Sequence, residues 1–175
     1  MSPSIADAPD AIPAQATDND PAPRAKRSPR RRAREFAVQG LYQWRVGGND
    51  EAAILAHLQD MEGFARADRT FCFALISGVI ADSAGLEGVL APCIDRPLHE
   101  LSPVEAVILL IGSLELAQHP ETPCRVIINE CVELTKLFGG TDGYKYVNGV
   151  LDKIATHYRP EWASQQRQKS ARQAE

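Results

Sequence analysis

The chain has no Cys-x-x-Cys pair, no stretch alternating with the two-residue period of a β-strand, and no apolar run of membrane-spanning length. Each absence removes a class of protein. Cys72, Cys93, Cys124 and Cys131 are widely and unequally spaced, and His57, His99, His119 and His157 do not fall at zinc-finger offsets from them. Small buried thiols in a reducing compartment are therefore expected, with no disulfide and no metal. The most apolar run, Ala106 to Leu114, contains Gly112 and Ser113; it falls far short of the ~20 residues a membrane helix requires. The early charges are acidic and no apolar signal core follows them, so a cytoplasmic protein is expected.

Catalytic patterns are missing as well. Gly139-Gly140-Thr141-Asp142-Gly143 resembles a phosphate cradle, but it lacks the Gly-Lys-Ser/Thr ending of a P-loop and follows a helical pattern where a strand is required. No carboxylate pair is marked by position as acid and base, and no histidine stands beside a recognisable nucleophile. No catalytic residue and no cofactor are expected.

What the chain does have is segregated charge. The formal net charge is -4, yet Arg24, Lys26, Arg27, Arg30, Arg31, Arg32 and Arg34 crowd into eleven residues that hold no acid. The preceding residues carry Asp7, Asp10, Asp18 and Asp20 with no basic partner, and the body from Glu35 to Pro160 is acidic. A basic arm on an acidic body attracts a polyanion at one place and repels it elsewhere, which orients binding. The competing reading of such a run is a solubilising tail or a localisation signal.

The junction with a helix favours the binding reading. Ser28-Pro29 is a helix start, since serine caps free N–H groups and proline at the first position forfeits no hydrogen bond. Ala37, Val38, Leu41, Tyr42 and Arg45 then recur at helical spacing. The arginines sit in the first turns, where their forks have fixed directions suited to phosphates. Cations at the positive end of a helix dipole cost about 0.3 to 1 kcal/mol each, a cost that a bound anion would relieve.

The remaining pattern is helical throughout. Gly47-Gly48 breaks the first helix, and Asn49-Asp50-Glu51 starts a short one to about Met61. A third begins near Asp68 with Phe71, Leu75 and Val79 on one face, and yields near Gly85 to a piece ending before Pro92. Ser102-Pro103-Val104-Glu105 reads as a capping box opening a helix whose face is Val107, Leu110, Ile111 and Leu114, stopped by Pro120. Thr122-Pro123 opens the next, closed by Gly139-Gly140. Thr141 or Asp142 caps a last helix with Tyr144, Val147, Leu151 and Ile154 on its apolar face, ended by Pro160. An all-α bundle follows. Its expected organisation is a disordered extension over 1–27, a helical domain over 28–160, and a polar tail over 161–175 that is either a frayed helix end or disorder. Asn129, Glu130 and Asn148 are expected to satisfy helix ends or cross-link the bundle, and Gly149 to permit close helix approach. Tyr42 belongs on the apolar stripe of the first helix, while Trp44 is either exposed or covers a neighbouring helix.

Three segments in order carry a resemblance: Arg30 to Trp44 (RRRAREFAVQGLYQW), Ile128 to Lys136 (INECVELTK) and Tyr146 to Lys153 (YVNGVLDK). They resemble the NusB family of bacterial transcription antitermination factors over roughly 28–160. The resemblance implies about seven helices in two three-helix subdomains, no catalytic activity, and pairing with NusE, a small-subunit ribosomal protein. Together the two would bind boxA single-stranded RNA and seed an antitermination complex on RNA polymerase, notably in ribosomal RNA transcription. Carried over residue by residue, Arg30, Arg31, Arg32 and Arg34 would contact the RNA backbone, and Asp142, Lys145 and Tyr146 would lie near bases or phosphates. Tyr146 stands where the family often has phenylalanine, which keeps the face on which single-stranded bases stack. Gly143-Tyr144 departs from the polar residues of some relatives.

Glu105 and Tyr42 are the implied NusE contacts, although Glu105 also has a local task in its capping box. The resemblance leaves the free protein open between a monomer and a homodimer. Two alternatives come from other classes. A related helical domain precedes the catalytic part of a ribosomal RNA cytosine methyltransferase family, but only a short polar tail follows Pro160 here. A protein-interaction module without RNA binding would have little use for the arginine cluster.

Overall fold

The computed structural model describes residues 27–173, all of whose regular structure is helical. The expectations for residues 1–26, Arg24 and Lys26 included, lie outside the described residues. Eight α-helices and three short 3-10 turns make two compact units, one ending at Ser77 and the other starting at Gly78.

The first unit holds α1 (Pro29–Gly47), α2 (Glu51–Asp60), the 3-10 turn Phe64–Arg66 and most of α3 (Arg69–Ala81). Ser28 caps α1 as expected, its hydroxyl accepting from the Arg31 N–H at 3.1 Å with Pro29 in the first turn. Gly48 ends the helix in the left-handed region (φ 66°), where its N–H reaches back to the last turn. Asp50 caps α2 by accepting from the Ala53 N–H at 2.8 Å. Asp68 does the same for α3, accepting from Phe71 N–H at 3.0 Å, while its own N–H donates to the Pro29 carbonyl at 2.9 Å. The starts of α1 and α3 are thereby bolted together. Behind them Leu41, Ile54, Leu58, Phe64, Leu75 and Ile76 form a dry core. Gly40 makes that packing feasible, because a Cβ there would stand 2.9 Å from Ile54 Cγ2 and 3.0 Å from Ile76 Cδ1.

The second unit is built around α5 (Pro103–Gln118), which is buried on nearly every side from Val104 to Leu116. A helix apolar all round must be central. Packed against it are α4 (Ser83–Leu90), α6 (Cys124–Phe138) and α7 (Gly143–Tyr158). The 3-10 turns Ala91–Cys93 and Leu98–Glu100 lead from α4 into α5. Two buried hydroxyls bond within their own helices, Ser113 to the Leu109 carbonyl at 2.7 Å and Thr135 to that of Cys131 at 2.8 Å. Arg159, just past α7, gathers the loose carbonyls at the end of α5. It donates to Leu116 O at 3.2 Å, His119 O at 2.7 Å and Glu115 O at 3.4 Å, and also to Thr122 O. A guanidinium fork at a helix C-terminus satisfies both the orphan acceptors and the dipole.

Several local expectations are corrected. The break after α3 falls at Asp82 and not at Gly85, which lies inside α4 beneath the Asp82 carboxylate. The chain also continues helically through Pro92. The capping box at Ser102 does not form: the serine side chain makes no capping bond and the helix opens on Pro103 alone. Pro123, and not Thr122, occupies the cap position of α6, and no side chain caps it; the Thr122 carbonyl accepts from Arg159. Pro160 ends α7 but also opens an eighth helix, α8 (Pro160–Gln173), over the polar stretch for which a frayed helix end or disorder is expected. Its anchor is Trp162, 9% exposed, whose indole N–H donates to Asp152 Oδ1 at 2.7 Å. Cys72, Cys124 and Cys131 are buried free thiols, whereas Cys93 is only half-buried.

Candidate nucleic-acid interface

In the first unit the arginine cluster occupies the opening turns of α1, with no acid in the first turn. The structure divides the cluster by use. Arg27 pairs with Glu35 at 3.0 Å. Arg30 is exposed, 3.7 Å from Asp68, with its guanidinium 4.5 Å from the Phe71 ring centre. An exposed pair of this kind contributes about 0 to 1 kcal/mol, so Arg30 can turn to a phosphate at little cost. Arg31 and Arg32 are half-buried on the flank of the helix, and the Arg32 guanidinium has no partner among the described residues. Arg34, expected with the other three at the RNA backbone, stands apart from them in burial. It is 3% exposed and lies 5.1 Å from the Phe71 ring centre. One helical turn apart, Arg30 and Arg34 share a single phenylalanine, the outer from the surface and the inner from within. Tyr42, expected on the apolar stripe, is half-buried, as is Trp44.

In the second unit the candidate residues gather where the α6–α7 loop enters α7. Asp142 takes a left-handed backbone (φ 64°), and its carboxylate pairs with Lys145 at 3.0 Å without capping the helix. Lys145 is exposed and Tyr146 half-buried. The Tyr146 hydroxyl donates to Asp95 Oδ1 at 3.0 Å, across 51 residues of chain. Asp95 also receives both Nε and Nη2 of Arg96, at 3.2 and 3.3 Å. The Arg96 fork, followed by the Tyr146 hydroxyl, holds the Asp95 carboxyl below its ordinary range. Burial first, then the bond to Asp95, pushes the Tyr146 phenol above its ordinary value. The ring of Tyr146 is thus tethered at its far end by one hydrogen bond to an exposed carboxylate.

Glu105 belongs to the same neighbourhood. It is half-buried, and its Oε1 fills the space that a Cβ on Gly143 would need. A carboxylate at the first residue of α7 complements the positive end of that helix. Its local task is therefore at α7, not in a capping box of its own helix.

Four participants, Tyr144, Lys136, Asp95 and Arg96, went unseen in the sequence. Tyr144, expected in the core, is half-buried between two ammonium groups, Lys136 at 5.0 Å and Lys145 at 5.9 Å from its ring centre. Arg96 joins through Asp95. Lys136 was discoverable, since it sits in the last turn of α6 and a short loop returns the chain beside it; nothing in the spacing links Arg96 to Tyr146. The trio Asn129, Glu130 and Asn148 is also revised. Asn129 and Asn148 are exposed on α6 and α7, and Gly149 has open space where a Cβ would stand. Among the described residues no group of His, Cys, Asp and Glu is placed to hold a metal ion, and no single helix is long and apolar enough to cross a membrane.

An all-helical protein with a guanidinium cluster at one helix start and an aromatic–lysine loop at another has the equipment of a polyanion-binding factor. The family model described as the NusB family matches residues 31–156, and the chain belongs to that family. Transcription antitermination protein NusB of Dechloromonas aromatica is 60% identical over 142 residues, covering 81% of this chain and 87% of the relative. Its counterpart from Ralstonia pickettii is 55% identical over 133 residues, 76% of this chain and 86% of the relative. Among solved structures, T. maritima NusB superposes with a TM-score of 0.68 at 24% identity, over 79% of this chain and 99% of that one. A crystal structure of the antitermination factors NusB and NusE in complex with dsRNA matches with a TM-score of 0.62 at 20% identity, over 73% of this chain and 96% of the other. These structures share the fold.

Proposed function

We propose that this chain is a non-catalytic antitermination factor that binds boxA single-stranded RNA together with NusE. The pair would seed an antitermination complex on RNA polymerase in the cytoplasm, notably during ribosomal RNA transcription. The observation that carries the reading is the arginine-lined start of α1 in a chain 60% identical to a transcription antitermination protein NusB. A protein of the same fold, crystallised with NusE and double-stranded RNA, supports the choice of partners.

In this reading Arg30, Arg31 and Arg32 take phosphates, and Arg34 holds Phe71 beneath them. Asp142, Lys145 and Tyr146 meet bases and phosphates in the loop, the tethered Tyr146 ring stacking a base for about 1 to 3 kcal/mol. Tyr42 and Glu105 contact NusE. Sedimentation of the free chain distinguishes a monomer from a homodimer.

The direct test is fluorescence anisotropy of a boxA-like strand and a scrambled control at two salt concentrations, with and without NusE. Tighter, sequence-selective binding on adding NusE is the expected result. Binding indifferent to sequence and to NusE would reduce the arm to a general polyanion hook. Tyr146→Ala should weaken boxA binding at unchanged helicity, and equal affinity would remove Tyr146 from the interface.

A further inference from the structure

One face of the second unit carries polar chemistry that neither the arm nor the loop uses. Arg125 and Asn129 of α6, Asn148 and Asp152 of α7, and Gln166 and Lys169 of α8 line one open groove. It continues along α8 to Arg172. Trp162 is the buried element beneath it, and the Asp152 carboxylate is already engaged there by the Trp162 N–H at 2.7 Å and the Gln166 amide at 3.5 Å. Where the groove passes Pro123, Glu161 adds a second carboxylate, and the Arg159 fork there is committed to backbone carbonyls. Elsewhere Arg125, Lys169 and Arg172 stand exposed, a basic strip on a chain of net charge -4.

The lining suits a polyanion that carries hydrogen-bonding groups beside its charges. An acidic peptide offers such groups on its backbone, so the choice of a nucleic-acid strand follows the RNA-binding reading above. A nucleic-acid strand presents phosphates together with base edges that both donate and accept, and carboxamides both donate and accept in turn. Because Trp162 lies beneath the lining, the groove offers no open aromatic face, so its contacts are to phosphates and edges and tolerate many sequences.

We infer that the groove between α6, α7 and α8 is a second track for single-stranded RNA. Arg125, Lys169 and Arg172 hold phosphates, and Asn129 and Asn148 meet base edges. The class of occupant rests on the RNA-binding reading above; the site itself is separate from the arm. A transcript longer than the recognition element would then be held at both places, and the groove would add affinity only for the longer strand.

The test compares R125A/K169A with R31A/R32A in the full chain, using a short boxA-like strand and a longer single strand that contains it. R125A/K169A should bind the short strand as the unmodified chain does and the longer strand about tenfold more weakly. Its slope of log affinity against log salt should shrink by about 1.4 on the longer strand, about 0.7 for each of two lost phosphate contacts. R31A/R32A should lose affinity for both strands. Asn148→Asp, which adds a carboxylate one turn before Asp152 without touching α8, should weaken the longer strand in the same direction. If only R31A/R32A loses affinity for the longer strand, the groove is overturned and the arm stands. If R125A/K169A abolishes capture of polyglutamate while leaving long-strand RNA affinity unchanged, the groove is a peptide site and the inference is equally overturned.

Discussion

The arginine arm and the α6–α7 loop present the same two ingredients, cations and aromatic rings, but they are assembled in opposite ways. The arm is a local structure. Arg30, Arg31, Arg32 and Arg34 take their directions from one helix whose start is fixed by Ser28 and Pro29. The loop is a tertiary structure, in which Tyr146 bonds to Asp95, 51 residues away, and the Glu105 carboxylate reaches into the space that Gly143 leaves open. The outermost of the arm's charges is held lightly: the Arg30–Asp68 separation is 3.7 Å between partly exposed groups. The loop's ring is held at its hydroxyl. A site that must attract a polyanion benefits from cations free to swing, whereas one that must select a base benefits from a plane that does not move.

The largest expected effect lies in the arm. Replacing Arg31 and Arg32 with Ala should lower boxA affinity by more than tenfold at low salt, and flatten the log–log salt dependence by about 1.4 for two lost phosphate contacts. Helicity should not change, because neither side chain is part of the core. An unchanged salt slope would mean that the arm does not meet phosphates, and the contrast with the loop would collapse.

Arg34 sharpens the same boundary from inside. Arg34→Ala should cost about 1 to 3 kcal/mol of folding stability in denaturant melts, the range for losing a buried, partnered side chain. It should leave the salt slope near its original value, since a residue 3% exposed has no fork to offer a phosphate. A lost slope at full stability would return Arg34 to the binding set.

This division explains what could be read before folding. The arm was legible almost entirely, because charge clustering, a Ser-Pro start and helical periodicity are properties of neighbouring residues. Even there Arg34 looked identical to Arg31: nothing local reveals that Phe71 of another helix lies beneath it. In the loop, Asp142, Lys145 and Tyr146 came from a family resemblance, and Tyr144 was assigned to the core because its spacing fits the apolar stripe with Val147 and Leu151. Periodicity reports which way a side chain faces, not what meets it, and Lys136 and Lys145 met this one. The eighth helix was legible only as one of two alternatives, a frayed helix end or disorder, for the opposite reason. Its composition is polar, and its docking rests on the single apolar anchor Trp162. The start signals at Ser102 and Thr122-Pro123 located both helices, which open at Pro103 and Cys124, but no side-chain cap forms at either start.

The smallest expected effect separates the two duties of Tyr146, positioning and stacking. Tyr146→Phe keeps the ring and removes the hydroxyl that donates to Asp95, so boxA affinity should change far less than in Tyr146→Ala. The carboxyl of Asp95 reports the lost bond. In the folded protein its pKa is lowered first by Arg96 and second by Tyr146, so in the Phe variant it should rise toward the ordinary aspartate value while staying below it. A depressed carboxylate contributes stability above its unfolded pKa of about 3.9 and loses that contribution as pH falls through the folded value. The variant should accordingly carry a smaller contribution of this kind and finish losing it at a slightly higher pH, an effect confined to the acid limb. Carboxyl-detected NMR titration of Asp95 reads the shift. An unmoved titration would show that the hydroxyl does not hold Asp95 in solution, and the ring of Tyr146 would then be no more fixed than the arginines it is contrasted with.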